Sequence, residues 1–353
     1  MDLELNPTDT MTLPNLDSVV LRDLDFLVEA KKGNGIPDFK QYGAKFKKPL
    51  VVGSGLAINT LEILFGDTAY VAANESNYQR VFERIHGDAD GIVVCSASGG
   101  KDSPIIARFA ASKGIDSVIL TCNPRFQAPV GMTAYLFPSP SKNAQDKTKN
   151  PDCEQEPLTY NCATYMGMIL SKTGEDPAAI KRYIESFVDP AIKEFEGKNP
   201  LSNYRAFFGL VPNFLDKLAE RGVVKCQELW GQQYGRDFCT EGDARHAKTL
   251  VPTLRGGEVH TDTDGNPIEY NRELFMSFGV TNLIYGNEKD RLHIPLPNDA
   301  GYGLATAVLY YTMGRLQAAL PPLFKLSVGG YAAEQGRMFE KTINILQDFH
   351  KRG

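Results

Sequence analysis

The chain has 353 residues, about twice the usual length of a single domain, so two domains of roughly 150 residues each are expected. With 42% hydrophobic and 23% charged residues it has the composition of a globular protein with ample core, which excludes disorder and fibrous repeats. A net charge of -5 offers no long-range field to a phosphate backbone, so nucleic acid is not the expected partner and any anionic ligand must be held locally. The longest apolar stretches, such as 304–313, are broken by Tyr, Thr and Gly well short of the roughly 18 residues that span a bilayer. The N-terminus opens on acidic residues rather than on a basic-then-apolar signal, so a cytoplasmic protein without membrane association is expected. Six cysteines (Cys95, Cys122, Cys153, Cys162, Cys226, Cys239) are scattered without a CxxC pair or a histidine at ligand spacing; free thiols and no metal site follow.

In chain order, 1–45 holds one helix over about 17–32 and a basic lead-in, KFKKP, and reads as an N-terminal appendage to the first core. From Pro49 short apolar runs alternate with helical stretches: PLVV, a helix over 57–66, TAYVAAN, a helix over 76–86, GIVVCSA, a helix over 102–113, DSVILTC and TAYLFPS. Short strands that are apolar on both faces and separated by helices predict a parallel sheet covered on both sides, the doubly wound α/β class. The polar, Pro-rich stretch 139–157 is loop, and 158–170 and 178–196 are helical. In the second half, strand-like runs at RAFFGLV, KTLVPTL, TNLIYG and RLHIPLP and helices around 213–221, 226–248, 268–278 and 303–320 again indicate α/β. The tail, 326–353, is a GGYAAEQGR loop followed by a helix.

The segment from Gly91 to Pro124 carries the sharpest chemical signal. A strand runs into a Ser/Gly-rich turn and straight into a helix, so backbone N–H groups and the helix N-terminus converge with the hydroxyls of Ser96, Ser98 and Ser103 into an anion cradle. Gly53-Ser54-Gly55 is a second such turn, and in an open parallel sheet both belong at the carboxyl end, where ligands bind. Small residues in such turns also serve tight packing alone.

Two families share features with this segment. SGGKDS, Ser98 to Ser103, matches the pyrophosphate loop of ATP pyrophosphatases, although there the loop normally follows the first strand of the domain, and here two strand and helix units precede it. Over 48–138 the chain resembles the sugar isomerase (SIS) domain: GSG after the first strand, S-x-S-G after a later one, then a helix, K-G, a strand and T-x-N-P. This resemblance includes the chain order. It implies two flavodoxin-like, doubly wound parallel-sheet SIS domains in pseudo-repeat with helical extensions, divided as 1–45, 46–175, 176–325 and 326–353. It also implies that Ser96, Ser98 and Gly99 hold the phosphate of a sugar, with Gly53, Ser54, Gly55 and Ser103 beside them. Lys101 stands where the family has threonine, which either strengthens a phosphate contact or marks a different anion. Thr159, at the helix that follows, reaches the ligand or packs.

In the second half, 234–260 resembles the second SIS domain of phosphoglucose/phosphomannose-type isomerases, where a glutamate-bearing helix precedes an E-x-x-H-like turn. Glu241 matches the helix glutamate, Glu258 and His260 the turn, and Arg245 and Lys248 share a helix face with Glu241. Aldose-ketose interconversion needs ring opening and a proton moved between neighbouring carbons: a shielded carboxylate suits the shuttle, an imidazole the ring opening, and a cation the enediolate. The rival readings are an exposed helix ion pair for Glu241 and Arg245 and a solvated loop for His260, with His246 a second candidate; His86 and His293 read as structural. Lys341, with Arg337 as its alternate, either closes over substrate or belongs to a helix that packs on a neighbouring subunit. The resemblance implies a phosphosugar isomerase without metal or cofactor, acting on glucose or mannose 6-phosphate as a homodimer. An ATP pyrophosphatase, a deglycase and a non-catalytic sugar-phosphate-binding protein remain the alternatives.

Overall fold

The computed structural model describes residues 15–99, 102–140, 161–204, 206–230, 234–244, 273–282, 286 and 288–320. Helices α1 (Leu16–Lys32) and α2 (Phe39–Tyr42) lead into β1 (Pro49–Val52), α3 (Leu56–Phe65), β2 (Val71–Ala73), α4 (Tyr78–Arg84), β3 (Gly91–Cys95), α5 (Ser103–Ser112), β4 (Asp116–Thr121) and β5 (Met132–Leu136). The five strands form one wholly parallel sheet in the order β2-β1-β3-β4-β5. Strands β1 and β3 are buried at every position because helices cover both faces. Since side chains alternate along a strand, Leu50, Val52, Ile92 and Val94 pack under α4 and α5, while Val51, Val93, Cys95 and Leu120 pack under α3.

The second half begins with α6 (Cys162–Thr173), α7 (Pro177–Tyr183), a π-helical turn over Ile184–Val188 and α8 (Asp189–Lys198). Then come β6 (Ala206–Val211), α9 (Asp216–Trp230), β7 (Gly235–Thr240), α10 (Glu241–Asp243), β8 (Glu273–Phe278), β9 (Arg291–Ile294) and α11 (Tyr302–Ala319). Their strands form a second parallel sheet in the order β7-β6-β8-β9, repeating the first four positions of the other sheet. Helix α6 serves both cores: Met166 and Leu170 join the second, Tyr165 and Met168 the first.

The helices that follow the first strand of each sheet pack together and run antiparallel. A side chain at Gly55, where α3 begins, would meet Val224 late in α9 at 3.9 Å, and Glu62 near the end of α3 meets Lys217 at the start of α9, Nζ to Oε1 3.5 Å. The carboxyl ends of the two sheets therefore face opposite ends of this helix pair.

Three expectations are corrected. Helix α1 belongs to the core of the second sheet, where Leu16, Val19, Leu24 and Leu27 pack with α11, rather than being an appendage to the first. The helix expected over 226–248 ends at Trp230 and gives way to β7, and the helix expected over 268–278 contains β8, whose Leu274–Phe278 are buried. A short run that is apolar on all sides has no period to separate a buried strand from a buried helix. In the expected strand TNLIYG, 281, 282 and 286 are not strand and 283–285 lie outside the described residues, as do KTLVPTL and the tail over 326–353. No helix among the described residues is long and apolar enough to cross a membrane.

The contact between α1 and α11 is close enough to test. A methyl group on Gly314 would overlap the backbone nitrogen of Asp17, whereas one on Gly197, near the end of α8, meets nothing within 4 Å. Gly314→Ala is expected to destabilise the fold by about 1–3 kcal/mol, as overpacking does. Gly197→Ala should be neutral or gain up to about 1 kcal/mol from helix propensity. Denaturant unfolding followed by the fluorescence of the buried Trp230 reads both; equal midpoints would show that α1 is not seated on α11.

Candidate functional site

In the first sheet, β1 leads outward to β2 while its neighbour β3 leads the other way to β4, so the topology switches direction between them. The crevice outside the carboxyl ends of two such strands is where open α/β sheets bind ligands. Both turns singled out from the sequence end there.

The turn after β1 is tightly drawn. Gly53 is buried and a side chain there would press on the backbone nitrogen of Ile58 at 3.0 Å, while Gly55 opens α3 with a φ of +56°. Ser54 is exposed between them and its hydroxyl donates to Glu75 Oε2. Glu75 follows β2 and was not among the residues expected at the site. Its turn is set by Asn74, whose Oδ1 accepts from Ser76 N at 3.1 Å and from Ser76 Oγ at 2.7 Å.

The turn after β3 is held from beneath by the segment that follows β4. Ala97 O accepts from Thr121 Oγ1 at 3.2 Å and Cys122 N at 3.3 Å, and Ser98 O accepts from Asn123 Nδ2 at 2.8 Å. In a trans peptide the N–H points opposite to the carbonyl it is joined to, so fastening Ala97 O beneath the turn aims the N–H of Ser98 outward. The hydroxyls of Ser96 and Ser98 lie 3.5 Å apart, Ser98 exposed and Ser96 half-buried. Gly99 has a φ of +94° and Phe126 occupies the space a side chain would need. Helix α5 starts four residues later and points its N-terminus at the same crevice, which favours an anion. Ser103 has a different role from the one expected: it is 1% exposed and its hydroxyl donates to Gly99 O at 2.6 Å, so it braces the turn instead of facing a ligand.

Helix α9 carries a charged pair one turn beyond its contact with the start of α3. Glu228 lies one helical turn beyond Val224, on the face that meets the start of α3, and its Oε2 is 2.6 Å from Lys225 Nζ. The Glu228 side chain keeps 27% of its exposure and the Lys225 side chain keeps none. Burial alone would lower the pKa of Lys225, but the Glu228 carboxylate and the Tyr310 ring, 4.9 Å from Nζ, outweigh it and hold the ammonium charged. Tyr165 of α6 lies within electrostatic reach of both Cys95, at the end of β3, and Glu228; burial first, then these two neighbours, pushes its phenol well up. Cys95 is likewise pushed up by burial, so it is a core thiol and not a nucleophile.

Glu241 is placed elsewhere. It follows β7 at the carboxyl end of the second sheet, in a turn fastened by Asp243 N to Thr240 Oγ1 at 3.1 Å and by Gly242 N to Asn213 Oδ1 at 2.8 Å. Asn213 precedes α9, and Val224 meets the first turn 11 residues later, about 16 Å along a helix axis. Within one chain Glu241 therefore lies near the start of α9, whereas the contact of α9 with the turn after β1 is near its end. Arg245, His260, Lys341, Lys101 and Thr159, with His246, Lys248 and Arg337, lie outside the described residues. Among those described, no group of three or more His, Cys, Asp and Glu gathers to hold a metal ion. Lys225 and Glu228 were missed, and the signal for them was Lys-x-x-Glu on one helix face, KCQE.

No protein-family model matches the chain, and no curated protein matches its sequence. Solved structures do match its fold. A tagatose-6-phosphate ketose/aldose isomerase from Escherichia coli superposes with a TM-score of 0.51 at 12% identity, covering 88% of this chain and 93% of its own. A glucosamine-6-phosphate deaminase from Thermotoga maritima superposes with a TM-score of 0.52 at 14% identity, covering 86% and 95%. The expected fold, two doubly wound parallel-sheet units in repeat, is the fold of this chain, and these structures share it.

Proposed function

We propose that the protein is a phosphosugar isomerase that interconverts an aldose phosphate and a ketose phosphate, with a hexose 6-phosphate such as glucose, mannose or fructose 6-phosphate as substrate. The reading is supported by the serine turn at the switch point of the first sheet and by the half-buried Glu228 with its buried partner Lys225, one turn beyond the point where α9 meets the start of α3. The Escherichia coli ketose/aldose isomerase shares the frame and supports a phosphosugar as the ligand of that turn.

The phosphate sits on the Ser98 N–H, the hydroxyls of Ser96 and Ser98, and the N-terminus of α5. The opened sugar then extends toward α9. Glu228 takes the proton from C2 of the aldose, leaving a cis-enediolate between C1 and C2, and returns it to C1 while the hydroxyl proton passes from O2 to O1. No atom is gained or lost. The Lys225 ammonium opposes the charge that develops on the enediolate oxygens, and it costs no reorganisation because Glu228 and Tyr310 already fix it. Glu241, Arg245 and His260 come to a turn site from a second copy of the chain in a cytoplasmic homodimer, His260 opening the ring. Lys341 closes over the sugar.

Solvent exchange of the C2 proton of the aldose phosphate, followed by NMR, tests the base. Glu228→Gln should lower exchange and turnover by about 10²-fold or more while sugar phosphate still binds. Glu241→Gln should retain more turnover than Glu228→Gln. Exchange that survives in Glu228→Gln and disappears in Glu241→Gln would reverse the assignment. Release of pyrophosphate from ATP by the unmodified protein would replace it.

The anion turn has its own test. Ser98→Ala should weaken a sugar phosphate about tenfold, the loss of one charge-assisted hydrogen bond, and leave the weak affinity for the unphosphorylated sugar where it was. Isothermal titration with both ligands reads this; an equal loss for the two would mean that the turn does not hold the phosphate.

A further inference from the structure

Arg221 is fully buried on α9, one turn before Lys225, and three of its nitrogens each donate a bond to a different partner. Nε donates to Asn59 Oδ1 at 2.9 Å, Nη2 to Thr60 Oγ1 at 2.8 Å and Nη1 to the Tyr310 hydroxyl at 2.8 Å. Asn59 and Thr60 stand on α3 one turn after Gly55, so two of the three bonds tie α9 to the helix that the Ser54 turn begins. Asn59 returns the tie through Nδ2, which donates to Lys217 O of α9 at 2.9 Å. The third bond continues toward the ion pair: the Tyr310 ring that receives Arg221 on its hydroxyl carries the Lys225 ammonium over its face, and Lys225 holds Glu228. A continuous path of contacts runs from α3, through a guanidinium and a phenol, to the proposed proton carrier.

We infer that Arg221 and Tyr310 are positioning residues: they register the Lys225–Glu228 pair against the turns of the first sheet, so that carboxylate and anion site hold one geometry. This rests on Glu228 being the proton carrier. It goes further in giving a task to two residues that touch no ligand. Proton transfer tolerates little error in position, and a displacement of about 1 Å can cost a hundredfold in rate. A helix presenting its acid across an interface between two sheets needs such a registration, and a planar guanidinium supplies it in three directions where an ammonium would not.

A residue that merely glued the halves together would lower stability and leave each folded molecule fully active, so the test separates rate from folding. Arg221→Met, Arg221→Lys and Tyr310→Phe are compared with the unmodified protein under conditions where circular dichroism shows all of them folded. The affinity for sugar phosphate should stay within about threefold, because Ser96 and Ser98 are untouched. The turnover of Arg221→Met should fall about a hundredfold, Arg221→Lys should recover part of it, and Tyr310→Phe, which keeps the ring beneath Lys225, should lose about tenfold. If Arg221→Met does not fold, Tyr310→Phe and Thr60→Val, each removing one acceptor of the guanidinium, carry the same expectation at smaller size. Full turnover in the folded variants, with Glu228→Gln inactive, would overturn the positioning role alone; an active Glu228→Gln would overturn the reading beneath it.

Discussion

Two cations buried without exposure, Arg221 and Lys225, sit where the halves of the molecule meet, and most of the arrangement around them follows from their need for partners. A buried charge with a missing partner costs several kcal/mol, so helices α3, α9 and α11 must approach in the one relation that supplies Asn59, Thr60, Tyr310 and Glu228 together. Apolar packing alone is more permissive: helices with apolar stripes can rotate or slide by part of a turn at modest cost, whereas a guanidinium with three fixed acceptors cannot. That relation sets α3 and α9 antiparallel, and the antiparallel pair decides which end of each sheet lies near which side chain.

The same geometry explains why the first half was legible in the sequence and the second was not. Strands β1, β3 and β4 are short apolar runs bounded by turns rich in Gly, Ser and Asn, and β1 and β3 are each followed by a ten-residue helix that shows its own period. The turns could be recognised because backbone demands select the residue type: Gly99 needs a positive φ and an empty space beside Phe126. Helix α9 carries the opposite case. Gly222 falls in its middle, in the gap between the helices expected over 213–221 and 226–248; the glycine is there because the Phe238 ring leaves only 2.6 Å for a side chain. That reason lies in a strand 16 positions away, beyond the reach of any local pattern. For α1 the stripe of Leu16, Val19, Leu24 and Leu27 specified the face to be buried but not the partner, and the partner, α11, begins almost 300 residues later.

The places of Glu241 and Glu228 have the same origin. Both are acids on or beside a helix, and sequence spacing does not say which end of a helix faces which sheet. Once α3 and α9 are known to run antiparallel, Glu228 falls beside the start of α3 and Glu241 beside Asn213 at the other end.

The repeat also makes the two carboxyl ends comparable, and their electrostatics differ. At the first, the turn after β3 offers two serine hydroxyls and an outward N–H ahead of the α5 N-terminus. At the second, the turn after β6 has the Asn213 oxygen committed to Gly242, and α9 opens on Asp216, whose Oδ1 accepts from the Tyr302 hydroxyl at 2.9 Å. The ammonium of Lys217 is shared there between Glu62 at 3.5 Å and Asp216 at 4.0 Å, and burial raises the pKa of Glu62 ahead of any neighbour's effect. A phosphate dianion brought to that end would meet Asp216 where the helix dipole should have received it, and the one cation in contact with both acids is already compensating them. One fold used twice thus carries serine hydroxyls at one carboxyl end and a neutralised charge cluster at the other; the difference lies in the turn side chains, since Asp102 precedes α5 as Asp216 opens α9.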